Sequence, residues 1–263
     1  MELFDSHCHY NDEKFDIDRD KIIQENIKKG IAKSVVSGYS INSSEEAIEI
    51  SEKYPNNLYA IVGISPNDID KIDYERIKKL ALNKNVVAIG EIGLDYYWNK
   101  ENKELQKQVF INQIKIANEL NLPIVIHSRE AVMDTLEILK TNPVNKKGIF
   151  HCCQLNIELI KEAIKSGYYI SFSGNITFKN SKNAYDCVSY VPLEKILIET
   201  DSPYMTPEPF RGKRNNPSNV IYVAKKIAEI KNSTLEEIAK IKERFEVFIS
   251  KIEEENLKKP NMW

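Results

Sequence analysis

Short apolar runs alternate with longer amphipathic segments along the chain. Runs such as PIVIH (123–127) have the length of strands, whereas residues 18–30 and 103–121 repeat their apolar positions every three or four residues, which is typical of helices. Glycine, asparagine and proline separate several of these segments. The pattern predicts eight strands: 3–9, 33–38, 58–64, 86–92, 123–127, 148–151, 168–174 and 195–200.

A helical segment follows most of the predicted strands. This order predicts an α/β fold, a (β/α)8 TIM barrel of parallel strands, in a single domain over residues 1–255. A doubly wound open sheet has the same alternation, and the spacing of the segments does not separate the two folds. The last residues, 256–263, are expected to form a C-terminal tail.

Composition and charge limit the classes of function. The chain has 263 residues, of which 42% are hydrophobic and 29% charged, as expected of a globular protein. Its formal net charge of -2 creates no global field that attracts nucleic acid, so a polyanion must be held by a local patch. No signal-peptide pattern begins the sequence, and no apolar run approaches the roughly 20 residues that span a bilayer. We therefore expect a cytoplasmic protein with no membrane segment and no obligate protein partner.

The four cysteines do not form a pattern that indicates a metal or redox site. Cys8, Cys152, Cys153 and Cys187 show no C-x-x-C spacing, and thiols stay reduced in the cytosol. On an extended strand the adjacent Cys152 and Cys153 would point to opposite faces, so they would not readily serve one metal. Buried, unreactive thiols are the favoured interpretation.

The chain has 4 histidines, and each falls at the carboxyl end of a predicted strand: His7, His9, His127 and His151. These ends converge on the face of a parallel barrel that carries active sites. Any one histidine after an apolar strand is more often a core or rim residue than a ligand. His7 and His9, however, lie two residues apart on one strand and project to the same side, as a chelating pair requires.

Two carboxylates follow apolar runs in the same way. Glu91 and Asp201 are costly to bury unless they are paired or bind a metal, so both are candidate ligands. Asp5 could either orient a ligand imidazole or cap a strand end. Glu199 could also point inward, but it is a weaker candidate ligand than Glu91 and Asp201. Four imidazoles and two carboxylates exceed the ligand number of one tetrahedral ion. We therefore predict a two-metal centre bridged by Glu91, with Asp201 as a ligand that also takes a proton from the nucleophile.

Basic side chains near the predicted strand ends are candidates for binding the phosphate of a substrate. Arg129 follows His127 by two residues, and Arg211, Lys213 and Arg214 lie in the loop after the last strand. Loops after the late strands of such barrels commonly hold phosphate. A solvated basic loop is the competing interpretation.

Aromatic residues accompany both sets of basic residues. Tyr204 and Phe210 lie in the last loop, and Tyr96, Tyr97 and Trp98 follow the fourth strand. Such side chains either stack on nucleic-acid bases or pack onto the barrel, and the sequence leaves both interpretations open.

Taken together, these residues resemble one family, the TatD-like metal-dependent deoxyribonucleases. The matching stretches occur in the family's order and cover almost the whole chain: DSHCH at 5–9, GEIGLDYY at 90–97, PIVIHSREA at 123–131, HC at 151–152 and TDSPYMTPEPFRGKRNNP at 200–217. The resemblance implies a TIM barrel that hydrolyses phosphodiester bonds in DNA, often as a 3′-to-5′ exonuclease, with a divalent cation that is usually magnesium. It also implies two sets of ligands. One ion is held by His7, His9, Glu91 and Asp201, and the other by Glu91, His127 and His151.

The chain departs from the family pattern at a few positions. Ser65 replaces a histidine expected beside the substrate, and Asn216 stands where glutamate is frequent. Cys153, Gln154 and Leu155 replace the usual aromatic, serine and glycine. These changes spare the proposed ligands but put the substrate preference in doubt. Because histidine favours zinc or manganese over magnesium, we expect two divalent ions, zinc or another transition metal as isolated, with magnesium able to support turnover.

Other functions compete with nuclease activity. One is a small-molecule amide, ester or lactone hydrolase on the same scaffold, although relatives of that kind often bridge their metals with a carboxylated lysine rather than a glutamate. The other is a non-enzymatic barrel that serves as a binding module, which the six intact ligand candidates argue against. If DNA is the substrate, the slightly acidic chain favours a single strand or a 3′ end engaged by one cleft.

Overall fold

A ring of eight parallel strands forms the centre of the structure, a computed structural model that describes residues 1–241. The strands are β1 Leu3–Cys8, β2 Ile31–Ser37, β3 Leu58–Val62, β4 Val86–Asp95, β5 Ile124–Arg129, β6 Gly148–Phe150, β7 Tyr169–Phe172 and β8 Ile196–Ile198. The helices are α1 Arg19–Lys28, α2 Ile41–Lys53, α3 Tyr74–Leu80, α4 Lys103–Leu120, α5 Val132–Thr141, α6 Ile157–Lys165, α7 Ala184–Tyr190, α8 Val220–Lys231 and α9 Leu235–Ala239.

The strands pair in sequence order from β1 to β8, and every pair is parallel. The segment after β8 closes the ring onto β1, because the Asp201 N–H donates to the carbonyl oxygen of His7 (2.9 Å) and the His9 N–H donates to that of Ser202 (2.7 Å). A doubly wound sheet would reverse its strand order at a switch point. The (β/α)8 barrel prediction is therefore confirmed.

Local sequence signals explain where several elements end. Helix α4 stops at Leu120 because Asn121 adopts a left-handed conformation (φ 56) and Pro123 soon follows. Ser40 caps α2, since its hydroxyl accepts a hydrogen bond from the Ser43 N–H (3.2 Å). The apolar residues of the strands are buried, which leaves the strand ends as the place for polar groups.

Glycine at one point of β4 brings this strand close to β5. Gly93 has φ 141, and a Cβ atom there would lie 1.9 Å from the carbonyl oxygen of His127. Only glycine tolerates both the positive φ and this approach. This close contact determines the position of His127 along the barrel axis relative to the residues that end β4.

The observed bounds differ from the predicted ones at the site end of the barrel. β4 continues to Asp95 rather than ending at residue 92, whereas β6 ends at Phe150, so His151 begins a turn. Cys152, with φ 38, and Cys153 lie in the loop after β6 and not on a strand, so strand alternation does not decide their directions. The predicted domain end at residue 255 and the tail, 256–263, lie outside the described residues. Among the helices of residues 1–241, none has the length and apolar character needed to cross a bilayer.

Candidate metal centre

All four histidines lie at the carboxyl end of the barrel. His7 is on β1 and His9 directly follows it, His127 is on β5, and His151 follows β6. Glu91 from β4 and Asp201 from the segment after β8 join them. His7, His9, Glu91 and His151 are buried, and His127 and Asp201 are partly buried.

The first cluster contains the H-x-H pair. The Nε2 atoms of His7 and His9 lie 3.3 Å apart, and Asp201 Oδ1 lies 3.2 Å from His9 Nε2 and 3.8 Å from His7 Nε2. Glu91 Oε2 completes the group at 3.5 Å from His7 Nε2 and 3.9 Å from His9 Nε2.

The second cluster forms around the other oxygen of Glu91. Oε1 lies 2.9 Å from His127 Nδ1 and 3.3 Å from His151 Nε2, and these two nitrogens are 3.2 Å apart. The rings of His7 and His151 stack with their centroids 4.0 Å apart, so the two clusters adjoin. Glu91 thus presents one oxygen to each cluster.

These separations fit the ligand sphere of a divalent cation. Tetrahedral ligands at about 2.0–2.1 Å from a metal lie roughly 3.4 Å from one another. The donor atoms of both clusters are spaced at 2.9–3.9 Å, within the range that such a sphere requires. Ring nitrogens that face each other across 3.2–3.3 Å can share one proton, or both can present their lone pairs to one cation, a role that a metal fills. The cluster of histidines and carboxylates can therefore bind metal.

The charges in the cluster keep the carboxylate of Glu91 ionised. Burial alone would raise the pKa of Glu91, but the charge of His151 and the hydrogen bonds of His127 and His151 hold it well below its ordinary value. Burial likewise disfavours protonated His151, yet the charges of Glu91 and Glu199 raise the pKa of that imidazole well above its ordinary value. A cation bound here would compete with these protons.

Hydrogen bonds behind two of the rings determine which nitrogen faces the cluster. His9 Nδ1 lies 3.0 Å from the carbonyl oxygen of Ser37, which can only accept, so Nδ1 carries the proton and Nε2 presents its lone pair. His127 Nε2 lies 2.9 Å from Asp95 Oδ2, which leaves Nδ1 toward Glu91. Burial alone would raise the pKa of Asp95, but the hydrogen bonds from His127 and the Trp98 backbone lower it to about 2.

Sequence reasoning missed Asp95, because the fourth strand was predicted to end at residue 92. The signal was present. Asp95 follows Glu91 by four residues, and the two-residue period of a strand places both side chains on one face. Carboxylates that hold the outer nitrogen of a histidine usually fix its tautomer.

The structure assigns Asp5 to the strand end and not to an imidazole. Its carboxylate accepts hydrogen bonds from the Thr200 N–H (2.9 Å), the Thr200 hydroxyl (2.6 Å) and the His7 N–H (3.3 Å). These bonds tie β1 to the segment after β8. Glu199 is buried on the other side of His151, where it accepts the Cys152 N–H and lies 3.6 Å from His151 Nδ1.

The loop after β3 contains Ser65, the departure from the family pattern. The Ser65 hydroxyl donates to Asp68 Oδ2 (2.9 Å), and the Asn67 amide donates to Asp95 Oδ2 (3.2 Å). Burial and the nearby charge of Glu91 raise the pKa of Asp68. Sequence reasoning missed this extra carboxylate near the site and the support that Asn67 gives to Asp95.

Only one of the predicted phosphate-binding residues is on a strand of the site. Arg129 ends β5, two residues after His127. The other three contact side chains of their surroundings. Arg214 pairs with Asp18 at 2.6 and 2.9 Å, Arg211 lies over the Phe178 ring, and Lys213 lies near the Phe210 ring.

The cysteines are in surroundings that suppress thiol chemistry. Cys8, Cys153 and Cys187 are buried, whereas Cys152 is partly buried with its sulfur 3.1 Å from the Ser173 hydroxyl. Burial raises the pKa of all four thiols.

Comparison with known proteins agrees with this site. The family model described as TatD related DNase matches residues 4–246. YabD of Bacillus subtilis (strain 168), named an uncharacterized metal-dependent hydrolase, is 45% identical over 243 residues, 91% of this chain and 95% of that protein. YcfH of Escherichia coli (strain K12), with the same description, is 37% identical over 246 residues and 92% of each chain.

A solved structure shares the whole fold. The crystal structure of YjjV, a TatD homologue from Escherichia coli K12, has a TM-score of 0.88 and 27% identity, and the match covers 94% of this chain and 98% of that one. The resemblance deduced from the five sequence stretches is therefore confirmed, and the chain belongs to the family of TatD-related DNases.

Proposed function

We propose that this protein is a metal-dependent hydrolase that cleaves phosphodiester bonds in DNA at a centre of two divalent ions. The observation that carries the proposal is the position of Glu91, whose two oxygens face separate clusters of imidazoles. His7, His9, Glu91 and Asp201 would hold one ion, and Glu91, His127 and His151 the other. The family description as DNases and the relatives named metal-dependent hydrolases support it.

The residues of the centre have distinct roles in this proposal. When bound, two divalent cations supply positive charge that offsets charge on phosphoryl oxygens and lowers the pKa of water. Glu91 holds the spacing of the two ligand sets. Asp201 has the more exposed carboxylate of the two, at 15% against 10% for the Glu91 side chain, and takes the proton of the attacking water.

Basic side chains around the site would bind the substrate's phosphates. Arg129 is the best placed, because it ends the strand that carries His127. Arg211 and Lys213 lie in the loop after β8. Arg214 would have to exchange its contact with Asp18 for a phosphate, so we expect it to contribute least.

The centre also suggests conditions for activity. Its imidazoles favour zinc or manganese, with magnesium as a cation that supports turnover. A single strand or a 3′ end, digested as by a 3′-to-5′ exonuclease, is the substrate we propose. The free cysteines suit the reducing cytoplasm, the compartment in which we expect the protein to act.

A time course on end-labelled DNA tests the function. Single-stranded and duplex oligonucleotides are incubated with EDTA-treated protein to which magnesium, manganese or zinc is returned. We expect metal-dependent shortening by one nucleotide at a time from the 3′ end. Glu91→Gln should slow this shortening by at least about a hundredfold, whereas Glu158→Gln, a matched change on α6, should not.

Uncleaved DNA under every metal, from protein shown to be folded, would refute nuclease activity. A panel of amides, esters and lactones tested in parallel would then decide whether the same centre serves a small-molecule hydrolase.

A further inference from the structure

Two large aromatic side chains follow β4 at the mouth of the barrel and remain exposed. Trp98 is 69% exposed and Tyr97 is 45% exposed, with their ring centroids 4.8 Å apart in an edge-to-face contact. By contrast, Tyr96 of the same segment is buried, and its hydroxyl donates to Asp134 (2.6 Å). Tyr96 packs onto the barrel, whereas Tyr97 and Trp98 present apolar surface to solvent.

A guanidinium group rests on these rings. The centre of the Arg129 guanidinium lies 3.8 Å from the Tyr97 ring centroid and 5.5 Å from that of Trp98. Within residues 1–241, Arg129 has no carboxylate partner. Three other arginines of this range do pair with carboxylates: Arg19, Arg76 and Arg214. The Arg129 cation is thus held in place by stacking while its N–H donors remain free of anionic partners.

One carboxylate joins this group to the metal centre. Asp95 Oδ1 accepts hydrogen bonds from the N–H groups of Tyr97 (2.9 Å) and Trp98 (3.0 Å), while Oδ2 lies 2.9 Å from His127 Nε2. Arg129 is also two residues from His127 on β5. The backbone that carries the two rings is therefore tied to the cluster, and we name the two rings with the guanidinium the aromatic platform (Tyr97, Trp98 and Arg129).

Tyr204, in the loop after β8, already has contacts with neighbouring side chains. The Tyr204 hydroxyl donates to Asp12 (2.6 Å), and Lys14 Nζ lies 4.2 Å from the centre of its ring. Of Tyr204 and the platform, it is the platform that combines an exposed stacking surface with a guanidinium free of carboxylate partners.

We propose that Trp98 stacks on a nucleobase of the substrate strand and that Arg129, supported by Tyr97, binds an adjacent phosphate. This inference rests on the proposed nuclease function and adds one contact to a base of the substrate. Every base has a face on which an aromatic ring can stack, so the platform would not select a sequence. It would prefer unpaired nucleotides, because a base within a duplex is already stacked on its neighbours. A phosphodiester without a base would bind only through its phosphate.

Kinetics on oligonucleotides with single abasic sites test the platform. For the wild type, one abasic position near the cleaved bond should raise KM by about tenfold, the size expected for one lost stacking contact. Trp98→Ala should raise KM for the intact strand about as much with little change in kcat, and the same abasic position should then have little further effect. Trp98→Phe should restore most of the affinity. The control is Tyr185→Ala, which removes an aromatic side chain of similar exposure on α7 (62%).

Fluorescence provides a readout that does not depend on turnover. The sequence has two tryptophans, so Trp263→Phe leaves Trp98 as the only indole. Titration of the metal-loaded full chain with a phosphorothioate oligothymidylate should quench its emission, and an abasic strand of equal length should quench it far less.

The outcomes separate this inference from the proposed function. DNA that is cleaved with an unchanged KM in Trp98→Ala, or that binds without quenching Trp98, overturns the platform alone. A wild-type protein that neither binds nor cleaves DNA under any metal overturns both.

Discussion

Replacing Asp95 by asparagine removes one charge while keeping the shape of the side chain. In the native protein Oδ1 accepts from two backbone N–H groups, and Oδ2 faces His127 Nε2 at 2.9 Å and the Asn67 amide at 3.2 Å. An asparagine has one oxygen and one NH2 group for these four donors. Whichever way its amide turns, the NH2 group faces two donors, so the replacement breaks contacts on one side.

The expected effect follows from the bonds that are lost. A hydrogen bond to a charged group contributes about 1.5–3 kcal/mol, so Asp95→Asn should destabilise the metal-free protein by about 2–3 kcal/mol, or roughly 5–10 °C in Tm. With an NH2 group against Nε2, the neutral His127 ring keeps a hydrogen bond only when its proton moves to Nδ1. That atom lies 2.9 Å from Glu91 Oε1 and would no longer offer a lone pair. Metal affinity at this cluster should fall by about 10- to 100-fold.

Isothermal titration with manganese or zinc, combined with thermal unfolding of the metal-free protein, measures both effects. Asp134→Asn is the matched control, because Asp134 contacts Tyr96 and Lys107 but no member of the metal centre. If Asp95→Asn binds two equivalents of metal with wild-type affinity, the tautomer argument is refuted.

Three further substitutions and one labelling experiment test the roles assigned to the other residues. Glu91→Gln should lower turnover by at least about a hundredfold and reduce bound metal measured by mass spectrometry, because both clusters lose a charged ligand; two retained ions would contradict the bridging assignment. Arg214→Ala should change KM for DNA by less than about threefold, since its guanidinium already pairs with Asp18, and a much larger rise would show that it binds phosphate. Cys153→Ser should keep near-wild-type turnover. Because burial raises the pKa of Cys187 to about 11, above its unfolded value, that thiol should stay protonated and resist a thiol reagent at pH 8 until the protein unfolds.

Local periodicity was sufficient to predict the alternation of strands and helices and the gathering of the histidines at the strand ends, although it did not separate a barrel from a doubly wound sheet. Strand-length apolar runs followed by amphipathic segments indicate β/α units, and each of the 4 histidines ends or follows such a run. Since the carboxyl ends of all strands in a parallel barrel share one face, the side chains meet whatever the detailed register. This is why the six candidate ligands could be chosen before their distances were known, although their roles as ligands stay predictions.

Only the tertiary structure decided which partners stand behind these groups. The ion pair of Arg214 with Asp18 joins residues 196 positions apart, and the bonds of Asp5 to Thr200 span 195. Such pairs depend on strand register and on the path of loops, which no local repeat records. The end of β4 was missed for the same reason, since its last residues are held by contacts with β5.

Arg129 also shows what the sequence predicted and what only the tertiary structure determined. The sequence placed this residue after His127 and left its aromatic neighbours ambiguous between stacking and packing. The fold buries Tyr96 but leaves Tyr97 and Trp98 exposed beneath the guanidinium, because Asp95 turns the chain at that point. Residue order thus determines which groups reach the mouth of the barrel, and long-range hydrogen bonds decide which of them face solvent, since burial depends on neighbours that are distant in the chain.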